Sequence, residues 1–388
     1  MLRYLIATEP RDLHAVEVAL ALEARGAEAA LWLGADFPTR LAGSIEVRGG
    51  RTGWELRADG AAPLRPPFDG VWMRRPTAPR LPAGLHPADL PVAERETRDH
   101  IAGLYWLAAP EAFWVNPLAS RGRAESKAVQ LAEAARLGFT VPPTLLSNDP
   151  ERIRAFLAAH RGSAVYKPFY PAGWEGAATT AVLGTSEVAT EDLPDDVILR
   201  ATPGIFQARV DKAYELRVTA FGAFLAAARI DSQAVAEARL DSRAGGPRLP
   251  VQPAELPAAL ARRCFDLLAR LGIVFGCFDL AVTPAGDHVF FEVNPAGQFL
   301  WVEEACPEIR LLAPFVEFLL ARRPDFRWRP DAGGAAAIRH ADFARPALRR
   351  IEELAAHHVE PPPPFVHPED DAEPSAASSA APPPRDPA

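Results

Sequence analysis

The sequence predicts an α/β (α+β) chain, with a small open α/β unit at the N-terminus and a larger, strand-rich body behind it. Three observations support this. The chain begins strand, helix, strand, a crossover that favours a parallel sheet. From 116 to about 329, runs rich in Val, Ile, Phe and Tyr outnumber helical patterns, as in mixed sheets with a few helices. Over 388 residues, 48% apolar against 24% charged is the balance of a globular protein with a sizeable core, which excludes a wholly disordered or fibrous chain.

Within residues 1–115, the first strand pattern covers 4–7. The helical pattern over 12–26 turns Val16, Val18, Ala19, Leu20 and Leu22 inward, and 29–33 is the second strand. A Pro-rich stretch at 61–67 precedes another strand, GVWMRRP at 70–76. A helix over 92–108 then carries Ile101, Leu104, Tyr105 and Leu107. No GxGxxG follows the first strand, so dinucleotide binding there is unsupported. In the body, 116–330, SKAVQLAEAARLGF reads as a helix with Ser126 at its N-cap and Gly138 near its end, and VPPTLL follows as an extended segment. AVYKPF, GIFQARV, YELRVTAFG with FLAAARI, GIVFGCFDLAVTP and DHVFFEVNP read as strands, and a helix over 257–271 precedes the last two.

A Gly-Gly break at 333–334 leads to a helical extension, with a helix around 344–357, in residues 331–360. The remaining 361–388 hold ten of the 40 prolines. Counted from Glu360, six acidic residues face one Arg, so five of the eight net negative charges sit there. With almost no large apolar side chains, this tail is expected to be disordered. The rest of the chain is nearly neutral, and no global positive field exists to gather nucleic acid or an anionic membrane. Three cysteines without CxxC spacing read as buried thiols of a reducing compartment. Together with the lack of a signal peptide or a spanning apolar run, they predict a cytoplasmic protein.

The most informative stretch is GCFDLAVTPAGDHVFFEVNPAGQFLW. Two apolar runs flank TPAGD, a turn sequence, so 278–282 and 289–293 are expected to pair as antiparallel strands. Period two places Glu292 and Asn294 on one face, with Asp279 within reach on the partner strand. Two carboxylates and an amide oxygen suit Mg²⁺, which keeps waters and bridges phosphates. Apolar neighbours on both strands leave little reason for an unpaired carboxylate except a ligand.

Lys127, Lys167 and Lys212 are the only lysines, against 39 arginines. A compact ammonium at the end of an apolar strand, as in AVYKPF, suits phosphate oxygens, and Gly173 and Gly176 beyond it allow a loop to approach closely. No Walker GxxxxGK[ST] is present. IFQARVDKAYELRV supplies a strand, a short link and a second strand. Backbone there can read a purine edge, with Gln207 and Val210 as candidates and Asp211 or Glu215 near the ribose. Arg217, Arg229 and Arg243 are either members of surface ion pairs or, near phosphate, neutralisers of a transferred phosphoryl group. His100, His160, His288 and His340 lack ligand spacing and read as structural.

The order of these parts resembles the ATP-grasp superfamily. VWMRRP at 71–76, FWVNPLAS and ESK at 113–127, LGFTVPPTLLSNDPE at 137–151 and NPAGQFLWVE at 294–303 are similar to the ATP-grasp peptide maturases that make microviridin-like graspetides. The likeness spans roughly 1–325. It implies an ATP-grasp fold with an N-terminal pre-ATP-grasp domain, and an ATP-dependent ligase that activates Asp or Glu side chains of a precursor peptide. Thr, Ser or Lys side chains of that peptide then close the rings. It implies that Lys127 and Lys167 hold the phosphates of ATP, that Gln207, Val210 and Glu215 meet the nucleoside, and that Asp279, Glu292 and Asn294 hold Mg²⁺, expected as two ions. Arg217, Arg229 and Arg243 would face the phosphoryl group and the carboxylate, and Arg74 and Arg75 an acidic substrate peptide. Ala208 stands where many such ligases have an acid after the hinge Gln, which passes the ribose contact to Asp211 or Glu215. Rival readings are a glutamate ligase acting on a protein, a dipeptide ligase, and a non-catalytic nucleotide-binding scaffold. A homodimer is the default assembly.

Overall fold

The computed structural model describes residues 1–388 apart from 59, 61, 161–162, 170–171, 176–179, 331–337 and 360–388, and apart from the side chains of 172–175, 180–183 and 247. The expected loop at Gly176, the Gly-Gly break at 333–334 and the tail at 361–388 lie outside the described residues.

The first part of the chain contains β1 (Arg3–Thr8), α1 (Leu13–Ala24), β2 (Glu28–Leu33), β3 (Leu41–Arg48), β4 (Arg51–Ala58), β5 (Gly70–Met73), α2 (Leu90–Leu107) and β6 (Phe113–Val115). Four of its strands form a parallel sheet in the order β2-β1-β5-β6. β1 shows why both faces must be covered. Tyr4 and Ile6 enter a core with Ala15, Val18 and Leu22 of α1, while Leu5 and Ala7 enter another with Leu104 and Tyr105 of α2. A strand buried on both sides belongs in a parallel sheet flanked by helices. Beside the short β6, the hairpin of β3 and β4 was not anticipated. It turns at Gly49 and Gly50, whose φ values of 57° and 75° are those a two-residue turn requires. The hairpin brings Trp54 and Leu56 onto the α2 side of the sheet.

The body continues with α3 (Arg121–Glu125), α4 (Lys127–Arg136), β7 (Thr144–Ser147), α5 (Pro150–Ala159), β8 (Ala164–Lys167), β9 (Ala172–Glu175), β10 (Thr180–Leu183), β11 (Ser186–Glu187), α6 (Asp196–Ala201) and β12 (Gly204–Ala208). An antiparallel sheet in the order β11-β8-β12-β7 packs on Ile153, Leu157 and Leu199, and β9 and β10 pair separately. Next come β13 (Tyr214–Phe221), β14 (Phe224–Ile230), β15 (Val251–Ala254), α7 (Ala258–Leu271), β16 (Phe275–Val282) and β17 (His288–Asn294). They build an antiparallel sheet in the order β15-β14-β13-β16-β17. Helix α7 spaces Leu260, Cys264, Leu267, Leu268 and Leu271 along one stripe, and this stripe shares a core with Val218, Phe278 and Leu280 of the sheet. It stops at Gly272, left-handed at φ 73°.

Three helices close the chain, α8 (Leu300–Ala305), α9 (Leu312–Ala321) and α10 (His340–His357). Phe315 of α9 lies 4.9 Å from Trp72 of β5 and 5.3 Å from Phe275 of β16, so one core joins the N-terminal sheet to the five-stranded sheet. His340, expected to be structural, pairs at 2.7 Å with the buried Glu17 of α1, and its amide donates to Glu303 of α8. No described helix is long and apolar enough to cross a membrane.

Candidate active site

Asp279 is the one residue of β16 that is not buried, and it sits opposite Glu292 of β17. Plain alternation does not produce this pair. Asp279 opposes Glu292 whereas Leu280 opposes Phe290, so Phe291 is the extra residue of a β-bulge. The bulge lets Phe290 and Val293, three positions apart, both enter one core at 0% and 1% exposure. Phe291 and Glu292 then turn to the other side. Phe291 lies beneath Lys167, whose ammonium is 4.7 Å from the ring centroid. Asn294 ends the strand opposite Cys277, and its Oδ1 accepts the Ala296 N–H at 3.1 Å.

The two lysines arrive on different elements. Lys127 is the first residue of α4 and is ion-paired to Glu292. The helix is registered on β17 by Gln130, which is buried. Its amide donates to Val293 O at 2.7 Å and accepts Val293 N–H at 3.0 Å, so both backbone groups between Glu292 and Asn294 bond to the helix that starts at Lys127. Lys167 ends β8 and donates to Gln207 Oε1 at 2.8 Å, while Gln207 donates to Thr144 Oγ1 at 2.8 Å. The side chain of Gln207 therefore holds an ammonium in place.

Arg217 of β13 bonds Asp279 Oδ1 at 2.7 Å and donates to Gln298 O at 2.6 Å. Arg243 is bound by the Asp241 carboxylate at 2.9 and 3.1 Å. Burial pushes the pKa of Asp279 up; Arg217 opposes this and Glu292 adds to it. Burial acts on Glu292 in the same sense, but Lys127, Lys167 and Arg243 outweigh it and hold this carboxyl below its ordinary value. Burial lowers the pKa of Lys167, with Glu292 resisting. Four basic side chains thus meet three acidic ones, an excess that suits a polyanion such as a nucleotide triphosphate. Asp279 and Glu292 each spend one oxygen on a cation, and among the described residues the other oxygen of each accepts no hydrogen bond. No cluster of three His, Cys, Asp or Glu side chains fit for a metal occurs among the described residues. An ion here would rely on two carboxylates, an amide and oxygens brought by the nucleotide, which is how Mg²⁺ binds.

No family model matches the sequence, and no curated protein matches it. Solved structures do. A RiPP-associated ATP-grasp ligase of Chryseobacterium gregarium, in complex with ADP and a leader and core peptide, is 26% identical with a TM-score of 0.75, covering 85% of this chain and 100% of that one. The macrocyclase MdnC of Microcystis aeruginosa MRC, bound with precursor peptide MdnA, is 29% identical with a TM-score of 0.72, over 82% and 100% of the two chains. The macrocyclase MdnB of the same organism is 28% identical with a TM-score of 0.69, over 82% and 99%. The chain is an ATP-grasp ligase.

Not every residue singled out in the ligase's sequence joins this cluster. Glu215 accepts from Lys212 at 2.7 Å and from Ser242 Oγ at 3.0 Å, and Lys212 also donates to Leu240 O, so this pair fastens the segment bearing Asp241 and Arg243 to β13. Asp211 departs from expectation. Its side chain, on the link between β12 and β13, is 87% exposed and 3.9 Å from Arg209. Val210 is half-buried in the same link. Arg229 lies 4.0 Å over the Tyr214 ring and bonds Asp231; among the described residues no bond joins it to Asp279 or Glu292.

The Arg74–Arg75 dipeptide corrects the reading most clearly. Arg74 cannot face a peptide in this conformation, because its side chain is 0% exposed, 3.2 Å from Asp12, and bonded to the carbonyl of Ala296. Arg75, past the end of β5 and with its amide on the same Ala7 carbonyl as that of Arg74, is half-exposed and 2.6 Å from Glu9. Two supporting residues carry roles that sequence reasoning missed. Gln130 is one, a polar residue on the inward face of a helix. The other is Asn116, which donates to Phe275 O and Pro295 O at 2.8 Å and accepts from the amides of Val274 and Phe275. A polar side chain among apolar inward positions was the available signal in both.

Proposed function

We propose that the ligase activates Asp or Glu side chains of a ribosomal precursor peptide as acyl phosphates and closes macrolactone or macrolactam crosslinks, releasing ADP and phosphate. The observation that carries this reading is the opposed pair Asp279 and Glu292, ringed by Lys127, Lys167, Arg217 and Arg243, in a fold shared with a ligase in complex with ADP and a leader and core peptide. The partner would carry a leader and a core with Thr, Ser or Lys beside Asp or Glu.

A carboxylate is already a nucleophile at neutral pH, so the first step needs no base. A carboxylate oxygen of the peptide bonds to the γ-phosphorus of ATP, and the bond to the ADP oxygen breaks. A hydroxyl or amine of the same peptide then attacks the acyl carbon. The carbon–oxygen bond to phosphate breaks and the nucleophile's proton leaves to phosphate or water. Lys127 and Lys167 hold phosphate oxygens, and Arg217 and Arg243 offset charge on the phosphoryl group and the incoming carboxylate. Gln207 orients Lys167 and Glu215 holds the Arg243 segment, while Val210 and backbone near it meet the nucleoside. Arg229 lies at the margin, and Arg75 is the member of its dipeptide open to an acidic peptide. Magnesium, two ions in this reading, would be held by Asp279, Glu292 and Asn294 and would supply further charge neutralisation on the phosphates.

The test combines ligase, ATP, Mg²⁺ and a leader-bearing peptide rich in Thr, Ser, Asp and Glu. Each ring closed removes the mass of one water, and Asp279→Ala or Glu292→Ala abolishes the reaction while the circular dichroism spectrum is kept. ATP hydrolysis with no loss of peptide mass overturns cyclisation. Unchanged turnover in either variant overturns the metal assignment.

A further inference from the structure

The six residues after Asn294 form a turn whose backbone is gripped from outside at five polar groups. Asn116 donates to Pro295 O at 2.8 Å, Arg74 donates to Ala296 O, and Arg217 donates to Gln298 O at 2.6 Å. His14 Nδ1 accepts the amides of Phe299 at 3.5 Å and Leu300 at 3.3 Å. Gly297 is pinned sterically, since a Cβ there would stand 2.5 Å from Cys277 Cβ and 3.1 Å from an Arg217 nitrogen. The turn also closes on the site through Ala296 N–H, which donates to Asn294 Oδ1.

Two of these holders, Arg74 and His14, belong to the N-terminal sheet and its first helix. Arg74 is itself fixed by Asp12, which accepts from Thr8 Oγ1 at 2.8 Å. Burial beside Arg74 and Arg75 keeps His14 neutral, so that its ring nitrogen can accept. A guanidinium with no exposed surface that donates to the carbonyl two residues past Asn294 contacts neither nucleotide nor peptide. It can still set where Asn294 and the end of β17 stand.

We propose that Arg74, supported by His14, is a positioning residue through which the N-terminal sheet fixes the 295–300 turn and hence the Asn294 end of the nucleotide–metal site. The metal part of this rests on the function proposed above; the mechanical part does not. The test uses the full chain with Arg74→Met, Arg74→Lys and His14→Ala and two readings. The first is amide hydrogen exchange in nucleotide-free protein. Loss of a charge-assisted hydrogen bond raises exchange at 296–300 about tenfold or more, with β12 amides unchanged and partial recovery in Arg74→Lys. The second is binding of Mn²⁺ with ATP, followed by the manganese EPR signal, which weakens by a similar factor in Arg74→Met. A folded Arg74→Met with wild-type exchange at 296–300 and wild-type Mn²⁺–ATP binding overturns the proposal. If Arg74→Met does not fold, His14→Ala decides by the same readings. Wild-type protein that binds no Mn²⁺–ATP overturns the metal reading alone and leaves the exchange result to judge the grip.

Discussion

Phe290 and Phe291 are neighbours of the same residue type with opposite tasks. Phe290 is buried 5.2 Å from Phe139, and Phe291 supports Lys167. Phe290→Ala is expected to cost about 3–5 kcal/mol of stability, because it leaves a cavity under the sheet. Phe291→Ala, a half-buried ring under a partly desolvated ammonium, is expected to cost less, about 1–2 kcal/mol, and to raise the KM for ATP. Denaturant unfolding and ATP titration of the two variants separate these outcomes. Removing the charge of Lys127 or Lys167 by substitution with Met should lower kcat/KM for ATP by about 10²–10³, the scale seen when one preorganised donor to developing charge is lost. A steady-state ATP titration reads that. The scarcity of lysine marked both residues in the sequence, whereas the bulge that puts Phe291 under one of them has no local signature: alternation of apolar and polar residues is read one strand at a time, and a bulge depends on the partner strand.

At the scale of elements, α10 is tied at its start by His340 and at its end by His358 and the Val359 amide, both bonded to Asp36. The hydrogen bond to Glu17 raises the pKa of His340 above 6.5, and burial raises that of Glu17. In both groups the folded state keeps its proton to higher pH than the unfolded state. The His340 contribution is therefore complete below pH 6.5 and is lost as pH rises through the raised value. Amides at 344–357 should exchange faster at about pH 8.5 than at about pH 6, after correction for intrinsic rates, and His340→Ala should remove most of the difference. The helix itself was legible from its apolar spacing, as were α1, α2, α4 and α7. The β3–β4 hairpin has a local signal too, Gly49 and Gly50 between two extended runs. What no window of sequence contains is the docking of α4 on β17, because Gln130 and Val293 are far apart in the chain.

Across the whole molecule, Phe315 is the hub of the aromatic cluster that joins the two halves, touching Trp72, Phe221, Phe275 and Phe299. Phe315→Ala should cost about 3–5 kcal/mol and lower the stability of both halves together. Near-ultraviolet circular dichroism and exchange at β1 and β16 would show one shared transition, whereas two separate transitions would contradict a common core. The sequence by itself determined the strongly patterned strands and helices and the turn at 283–287, and it presented the acidic pair with its lysines, because these depend on residue type and short-range periodicity. Only the tertiary structure decided which way the members of adjacent pairs face. Arg74 turns inward to Ala296 while Arg75 turns outward, and Asp211 points to solvent while Glu215 fastens the Arg243 segment. The reason is physical: a side chain faces the neighbour that can satisfy its charge or cover its apolar surface, and in each of these cases the deciding neighbour is supplied by how the chain packs rather than by local periodicity.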